Sequence, residues 1–335
     1  MARVSVYEVA DRASVSIATV SRALNQPNRV TEETRERVLR AVNELNYVPN
    51  AQAADRARRN FRRIAVMAPF FTYPSFVARL RGVAQALEPD FSELVILDVD
   101  ATVLKRGGQE NYLNTFSVSG RFDGLIVMSL PLEEAIATRL RERNLPTVLI
   151  EHVDARFPSI VIDDFKGGTM AADYLFSKGH RRVGLVGDKQ VSKQVLDTSR
   201  LRAEGFVSKM KSLGKSIRED DQVLAVHGIE TTRETVKKLL SRPDRPDALF
   251  CTSDTLAMGV MKAAADLGLR IPDDLAIVGF DDIDIADFLG LTTIRQSLEE
   301  SGRAAVNLLN QIIKEPTSKI QHISLGLEMI VRQTA

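Results

Sequence analysis

The chain has 335 residues, 44% of them hydrophobic and 27% charged, with 45 Lys and Arg against 44 Asp and Glu. That balance suits a water-soluble protein with room for two or three cores, and with no apolar run of membrane-spanning length and no charged-then-apolar leader, a cytoplasmic location is expected. The single cysteine, Cys251, excludes an internal disulfide framework and, within Ala248-Leu249-Phe250-Cys251, reads as a buried strand residue.

The near-neutral total conceals a basic head on an acidic body. Residues 1–63 hold 12 Arg, no Lys and 7 acids, whereas residues 64–335 hold 33 basic and 37 acidic residues. Arg displaces counterions from phosphates and forks onto guanine edges, so the asymmetry is the footprint of a nucleic-acid module. Ser5 and Glu8 have capping-box spacing around Val6-Tyr7-Glu8-Val9-Ala10, a turn follows at Ala13-Ser14-Val15, and Ser16 caps a second helix, Ile17 to Asn25. On that helix Val20 and Leu24 share one face, and Ile17, Ala18, Ser21 and Arg22 share the other.

Two short helices joined by a tight turn, the second with a lean polar face, read as a helix-turn-helix whose second helix lies in a DNA major groove. Two core helices of a larger domain are the alternative, and the Arg excess weighs against them. Arg22, Ser21, Ile17 and Ala18 are expected at base edges, and Ser16, Thr19 and Asn25 nearer the backbone. Tyr7 completes the DNA-facing set on the first helix.

Thr31 begins a third helix, with Glu32 and Glu33 in its first turn and Val38, Leu39, Val42 and Leu45 as its apolar stripe. Pro49 stops it. The following Ala51-Gln52-Ala53-Ala54-Asp55-Arg56-Ala57-Arg58-Arg59 has helix propensity but almost no apolar face, so it is expected to order only against a partner or DNA.

From Ile64 onward short apolar strands alternate with amphipathic helical stretches. The strand runs are Ile64 to Ala68, Leu94 to Val99, Gly124 to Met128, Thr147 to Ile150, Ser159 to Ile162, Val183 to Val186, Val223 to Val226, Ala248 to Thr252 and Ala276 to Phe280, with a last run at Ile323 to Val331. Near-continuous apolar strands are buried on both faces, which argues parallel sheets covered by helices. The series is too long for one sheet and predicts two doubly wound lobes with a ligand crevice at the strands' carboxyl ends. The expected fold class is α/β, an all-α helix-turn-helix headpiece followed by two doubly wound parallel-sheet lobes.

The stretch Val4 to Asn25, Val30-Thr31 and Asn46-Tyr47-Val48-Pro49-Asn50 resembles the headpiece of the lactose repressor (LacI/GalR) family. Gly179-His180-Arg181-Arg182, Ser253-Asp254-x-x-Ala257-x-Gly259, Ile271 to Leu275, Val278-Gly279-Phe280-Asp281-Asp282 and Leu291-Thr292-Thr293-Ile294 resemble that family's landmarks in order and spacing. The resemblance covers essentially the whole chain. It implies a headpiece over residues 1–48, a hinge over 49–60, and a periplasmic-binding-protein-like effector and dimerisation body over 61–335. Its lobes are expected at 61–161 with 292–321 and at 162–291 with 322–335, the chain crossing near Ile162, Leu291 and His322. It also implies DNA contacts from Asn50, Ala53 and Arg56. The family's hinge leucine, which wedges into the central minor groove, aligns with Arg56 here, so less kinking and a more A·T-rich operator centre are expected.

Without leucine heptads after the last strand run, a homodimer on a pseudo-palindromic operator is expected rather than a tetramer. Arg202 and Asp281 match family positions that hydrogen-bond the effector. A carboxylate at a strand's carboxyl end and a guanidinium facing one crevice also suit vicinal hydroxyls on physical grounds, an interlobe ion pair being the alternative. Tyr73, Phe76, Glu151, Ser253 and Phe280 are further candidates, Phe280 as an aromatic face for a sugar ring, with core packing the competing role of the three aromatics. Asp254 is read as structural, capping the helix after Ser253.

No dinucleotide or P-loop glycine pattern and no G-x-S-x-G elbow occurs, and His152, His180, His227 and His322 lack metal-ligand spacing. No enzyme activity, cofactor or metal is therefore expected. The effector is expected to be a sugar or sugar phosphate that alters lobe closure and so how two 51–58 segments meet on DNA. The alternatives are a purine corepressor and, more remotely, a solute-binding protein.

Overall fold

The computed structural model describes residues 6–25, 29–45, 62–88, 92–99, 122–180, 182–190 and 196–335. The chain divides into two units, residues 1–61 and 62–335. In the first, α1 (Val6–Ala13), α2 (Ile17–Asn25) and α3 (Glu32–Glu44) surround a core of Val9, Ala10, Ala13, Val20, Ala23, Val38 and Ala41. Ser14 takes a left-handed φ of 54° in the turn between α1 and α2, where Val15 N donates to Ala10 O at 3.0 Å. Ser16 Oγ accepts from Thr19 N at 3.2 Å, so the expected Ser16 cap forms, and Thr31 Oγ1 accepts from Thr34 N at 3.4 Å at the start of α3; Ser5 lies outside the described residues. Leu39, read as part of the apolar stripe, is exposed, because Ala41 closes that face with Val38.

The second unit holds two six-stranded sheets. The first runs β11 (His322–Ser324), β5 (Ser159–Val161), β4 (Thr147–Ile150), β3 (Gly124–Met128), β1 (Arg63–Ala68), β2 (Glu93–Asp98), all parallel. Alternation along β1 supplies both faces: Ile64, Val66 and Ala68 pack under α4 (Pro74–Leu87) and α11 (Leu298–Lys314), while Ala65 and Met67 pack under α5 (Glu134–Glu142). The second sheet runs β12 (Leu327–Ile330), β10 (Thr292–Gln296), β9 (Ala276–Asp281), β8 (Ala248–Cys251), β6 (Val183–Asp188), β7 (Gln222–Ala225). Its faces are covered by α6 (Asp164–Ser177) with α7 (Thr198–Ser212), and by α8 (Ile229–Leu240) with α9 (Asp254–Asp266). Short α10 (Asp284–Phe288) follows β9. Cys251 is buried in β8, and burial pushes its thiol well up, so it is inert packing.

The lobes differ from expectation at two crossings. Thr292–Gln296, placed with the first lobe from the sequence, pairs with β9 and belongs to the second sheet, so the chain crosses at Ser297 rather than Leu291. His322–Ser324 pairs with β5 in the first sheet, moving the last crossing from His322 to residues 325–326. The single run read as Ile323 to Val331 is thus two strands in different sheets, and the second pairs antiparallel to β10. The crossing near Ile162 lies between β5 and α6.

Glycines set the closest helix contacts. A methyl group on Gly168 of α6 would sit inside the carbonyl of Arg202 on α7, and one on Gly302 of α11 inside the carbonyl of Arg79 on α4. Gly168→Ala is therefore expected to lower stability by roughly 1–3 kcal/mol or more in urea unfolding, since backbone cannot yield as a flexible side chain does. Gly326→Ala, with open space around it, should change it by no more than about 0.5 kcal/mol.

Candidate functional site

On the helical unit, α2 buries Val20 and Ala23 and leaves Ile17, Ala18 and Arg22 exposed, with Ser16 exposed at its cap and Thr19 and Ser21 half-buried. Tyr7 on α1 is 66% exposed. Asn50, Ala53 and Arg56 lie outside the described residues, as does the side chain of Asn25.

In the body, both sheets aim their strands' carboxyl ends at one cleft between the lobes, as parallel βα units require. It encloses about 130 Å³, room for on the order of ten water-sized groups. Arg202, Asp281, Tyr73, Phe76, Glu151 and Ser253 all line it. Phe280, expected as an aromatic wall, does not: it is fully buried in the second lobe's core, because its side chain leaves β9 on the α6 and α7 face. It serves as the floor under Arg202, whose guanidinium carbon lies 3.8 Å from the ring centroid.

Arg202 and Asp281 belong to the same lobe and make no interlobe pair. Arg202 Nε donates to Asp164 Oδ1 at 2.7 Å, and its Nη1 donates to Thr252 O at 2.8 Å and to Asp281 Oδ1 at 3.3 Å. The link between lobes comes from residues the sequence reading did not select. Gln296, at the end of β10, donates from Nε2 to Asp281 Oδ1 at 2.5 Å and accepts at Oε1 from Arg79 Nη2 of the first lobe at 2.9 Å. Arg79 in turn pairs with Glu151, which also accepts from the Ser129 hydroxyl. A continuous chain thus runs from Asp164 to Ser129 across the cleft floor.

Two further contacts cross the cleft. The Tyr73 and His227 rings stack 4.0 Å apart at 12°, with Phe70 behind Tyr73 at 5.0 Å, and His227 Nδ1 lies 2.9 Å from Asp188 Oδ1. Leu196 N donates to Ser129 O at 3.1 Å. Arg79 carried a legible signal, a cation on the apolar stripe Phe76, Arg79, Val83, Leu87 of α4. Gln296 and His227 carried none.

Backbone strain gathers at the same place. Phe70, Ser129, Glu151, Asp281 and Asp282 have positive φ, 115° at Asp281, and all lie at or just after the ends of strands that point to the cleft. Surroundings over-determine the Asp281-Asp282 turn: Asp282 accepts from Arg295 Nε and Arg332 Nη1 at 2.7 Å each, and Ile283 N donates to Asp254 Oδ2 at 3.0 Å. Asp254 therefore braces this turn, and also accepts from Thr293 Oγ1 at 2.6 Å, while the cap of α9 is Ser253.

Burial shapes the carboxylates. It pushes Asp164 up to about 6 against the pull of Arg202, raises Asp281 against the same cation, and raises Asp254, to which the charge of Asp281 adds. An acid whose folded value exceeds its unfolded one contributes stability that is full below about 3.8 and lost as pH rises to about 6. Relative to Asp164→Asn, the wild type should thus lose about 2 kcal/mol between pH 4 and pH 6 in paired denaturant titrations, whatever the offset from the lost Arg202 contact.

A helical unit with a lean exposed face and a two-lobed body with a polar interlobe cleft define a ligand-responsive DNA-binding protein. The model of bacterial regulatory proteins of the lacI family matches residues 5–50, and that of the periplasmic binding protein-like domain matches residues 172–335. The HTH-type transcriptional repressor CytR of Escherichia coli K12 is 32% identical, over 98% of this chain and 95% of its own. The probable HTH-type transcriptional repressor ExuR of Bacillus subtilis is 29% identical, over 99% of this chain and 98% of its own. The solved complex of the transcriptional regulator CelR with cellobiose superposes with a TM-score of 0.70 at 25% identity, over 99% of this chain and 100% of its own. The chain belongs to the lacI family of bacterial regulatory proteins and is a DNA-binding transcriptional regulator with an effector-binding domain, not an enzyme. Among the described residues no helix is long and apolar enough to cross a membrane, and no group of His, Cys, Asp or Glu could hold a metal ion.

Proposed function

We propose that this regulator is a cytoplasmic repressor that binds a pseudo-palindromic operator as a homodimer and is controlled by a sugar or sugar phosphate held in the interlobe cleft. The observation that carries the effector reading is the hydrogen-bonded chain along the cleft floor. Asp281 accepts, Arg202 donates and Gln296 does both, the pattern that vicinal hydroxyls satisfy because each is donor and acceptor at once. Phe76 and Tyr73 add apolar surface for a ring's carbon face. CelR holds cellobiose, which supports the same ligand class here.

A second reading, a flat purine-like ring, is favoured by the Tyr73 and His227 stack. Two near-parallel stacked rings from opposite lobes could part to hold a third between them. Thermal-shift screening of sugars, sugar phosphates, nucleosides and purines separates the two. For whichever ligand stabilises the protein, Asp281→Asn and Arg202→Ala should each weaken binding at least about tenfold by calorimetry, removing a charged hydrogen bond worth about 1.5–3 kcal/mol. Affinity indifferent to both substitutions would place the effector elsewhere.

For DNA, exposed Arg22 on α2 is assigned the strongest base contact. Arg22→Ala should cost roughly 1–3 kcal/mol on the operator and much less on a scrambled duplex at equal salt, measured by fluorescence anisotropy. Equal losses on both duplexes would reduce Arg22 to a phosphate contact. Linkage requires reciprocity, so a ligand that weakens operator binding tenfold binds the operator complex tenfold more weakly.

A further inference from the structure

The cleft contains the means to discriminate ligands by charge. Among the described residues its two buried cations are both committed to the protein: Arg202, 5% exposed, to Asp164 and Asp281, and Arg79, 3% exposed, to Glu151 and Gln296. Lys189, the third lining cation, is exposed at the lip. Against them stand Glu151 and Asp281 in the lining, with Asp188 and Asp197 beside them.

Helix starts offer an anion little more. Ser253 and Asp197 spend their side chains capping α9 and α7, and α4 opens on Pro74, which has no amide hydrogen to donate. A phosphate or carboxylate entering this floor would lose its water and, among the described residues, meet no uncommitted buried cation, while a hydroxyl can insert into the existing chain without adding charge. The Nε of Arg79 and the Nε2 of His227, buried without hydrogen-bond partners among the described residues, offer one donor and one ring nitrogen and no net attraction for an anion beyond what Glu151 already cancels.

We infer that the cleft selects an uncharged, hydroxyl-rich ligand, and that Glu151, by neutralising Arg79, is the residue that turns away sugar phosphates and sugar acids. This rests on the cleft being the effector site and narrows the class given above. Arg79 and Glu151 act as a pair: a free Arg79 would welcome an anion, and Glu151 cancels that attraction.

The test uses the full-length protein and matched neutral and anionic probes: glucose with glucose 6-phosphate, galactose with galacturonate, ribose with ribose 5-phosphate, and adenosine with AMP. Thermal shift identifies binders, and calorimetry gives the ratio within each pair. The expected result is a neutral binder whose anionic partner binds at least about a hundredfold more weakly. An anionic member that binds as well as or better than its partner overturns the inference and leaves the sugar reading standing. A pair led by adenosine, with no sugar binding, overturns the sugar reading and upholds the charge selection. No shift with any probe overturns both.

Glu151→Gln then tests the residue. It should raise affinity for the anionic partner at least about tenfold while weakening the neutral one, and Arg79→Met with Glu151→Gln should abolish that gain. An unchanged ratio in Glu151→Gln removes Glu151 from the role. Should Glu151→Gln alone not fold, the double variant, which removes the charges together, must still reject anions, and its accepting them would equally overturn the assignment.

Discussion

Among the described residues, one amide joins the buried charges of the two lobes across the cleft floor. Gln296 stands at the end of the last strand before the chain leaves the second lobe, and its two amide atoms face opposite lobes, the nitrogen toward Asp281 and the oxygen toward Arg79. A carboxylate at that position would repel Asp281, and an apolar residue would leave Arg79 and Asp281 without a shared partner in a site where unpaired charge is costly. Because the amide both donates and accepts, charges of opposite sign on the two lobes are joined without being brought into contact. Any ligand that takes over either of its bonds must alter how the lobes are tied.

The helices that carry the two buried guanidinium groups are fixed by the same device in both lobes. Arg202 lies where α7 touches α6 at Gly168, and Arg79 where α4 touches α11 at Gly302. Backbone contact leaves no room for a side chain to rearrange, so each arginine starts from a rigid base and only its outer atoms can respond. Strained backbone at Glu151 and Asp281 holds the carboxylates that meet them. Rigidity of support and strain of presentation occur together here, as expected where geometry matters more than stability.

The helix-turn-helix and the strand series were legible because they rest on local signals: caps at Ser16 and Thr31, and short apolar runs whose limits fall within a few residues of the strands. What was not legible depended on partners distant in sequence. Thr292–Gln296 has too short an apolar run to read as a strand, and only its pairing with β9 shows that it stays with the second lobe. Ile323 to Val331 reads as one strand because nothing local marks Leu325-Gly326 as a passage between sheets. Arg202 and Asp281 were reached through family resemblance, whereas Gln296 and His227 gain meaning only once the opposite lobe is in place. Phe280 shows the reverse error, an aromatic beside a site residue that faces the core because alternate residues of a strand face opposite ways.

The three crossings also bear on how the body is made. Neither lobe is a continuous stretch of chain: the first needs α11 and β11, which follow every element of the second except β12, and the second needs β12, which follows them. During synthesis neither sheet can be completed until β11 and β12 have left the ribosome. The lobes must then close almost together, so the nascent body spends most of its synthesis with an open sheet edge in each half, the form in which strand edges are most exposed to wrong partners.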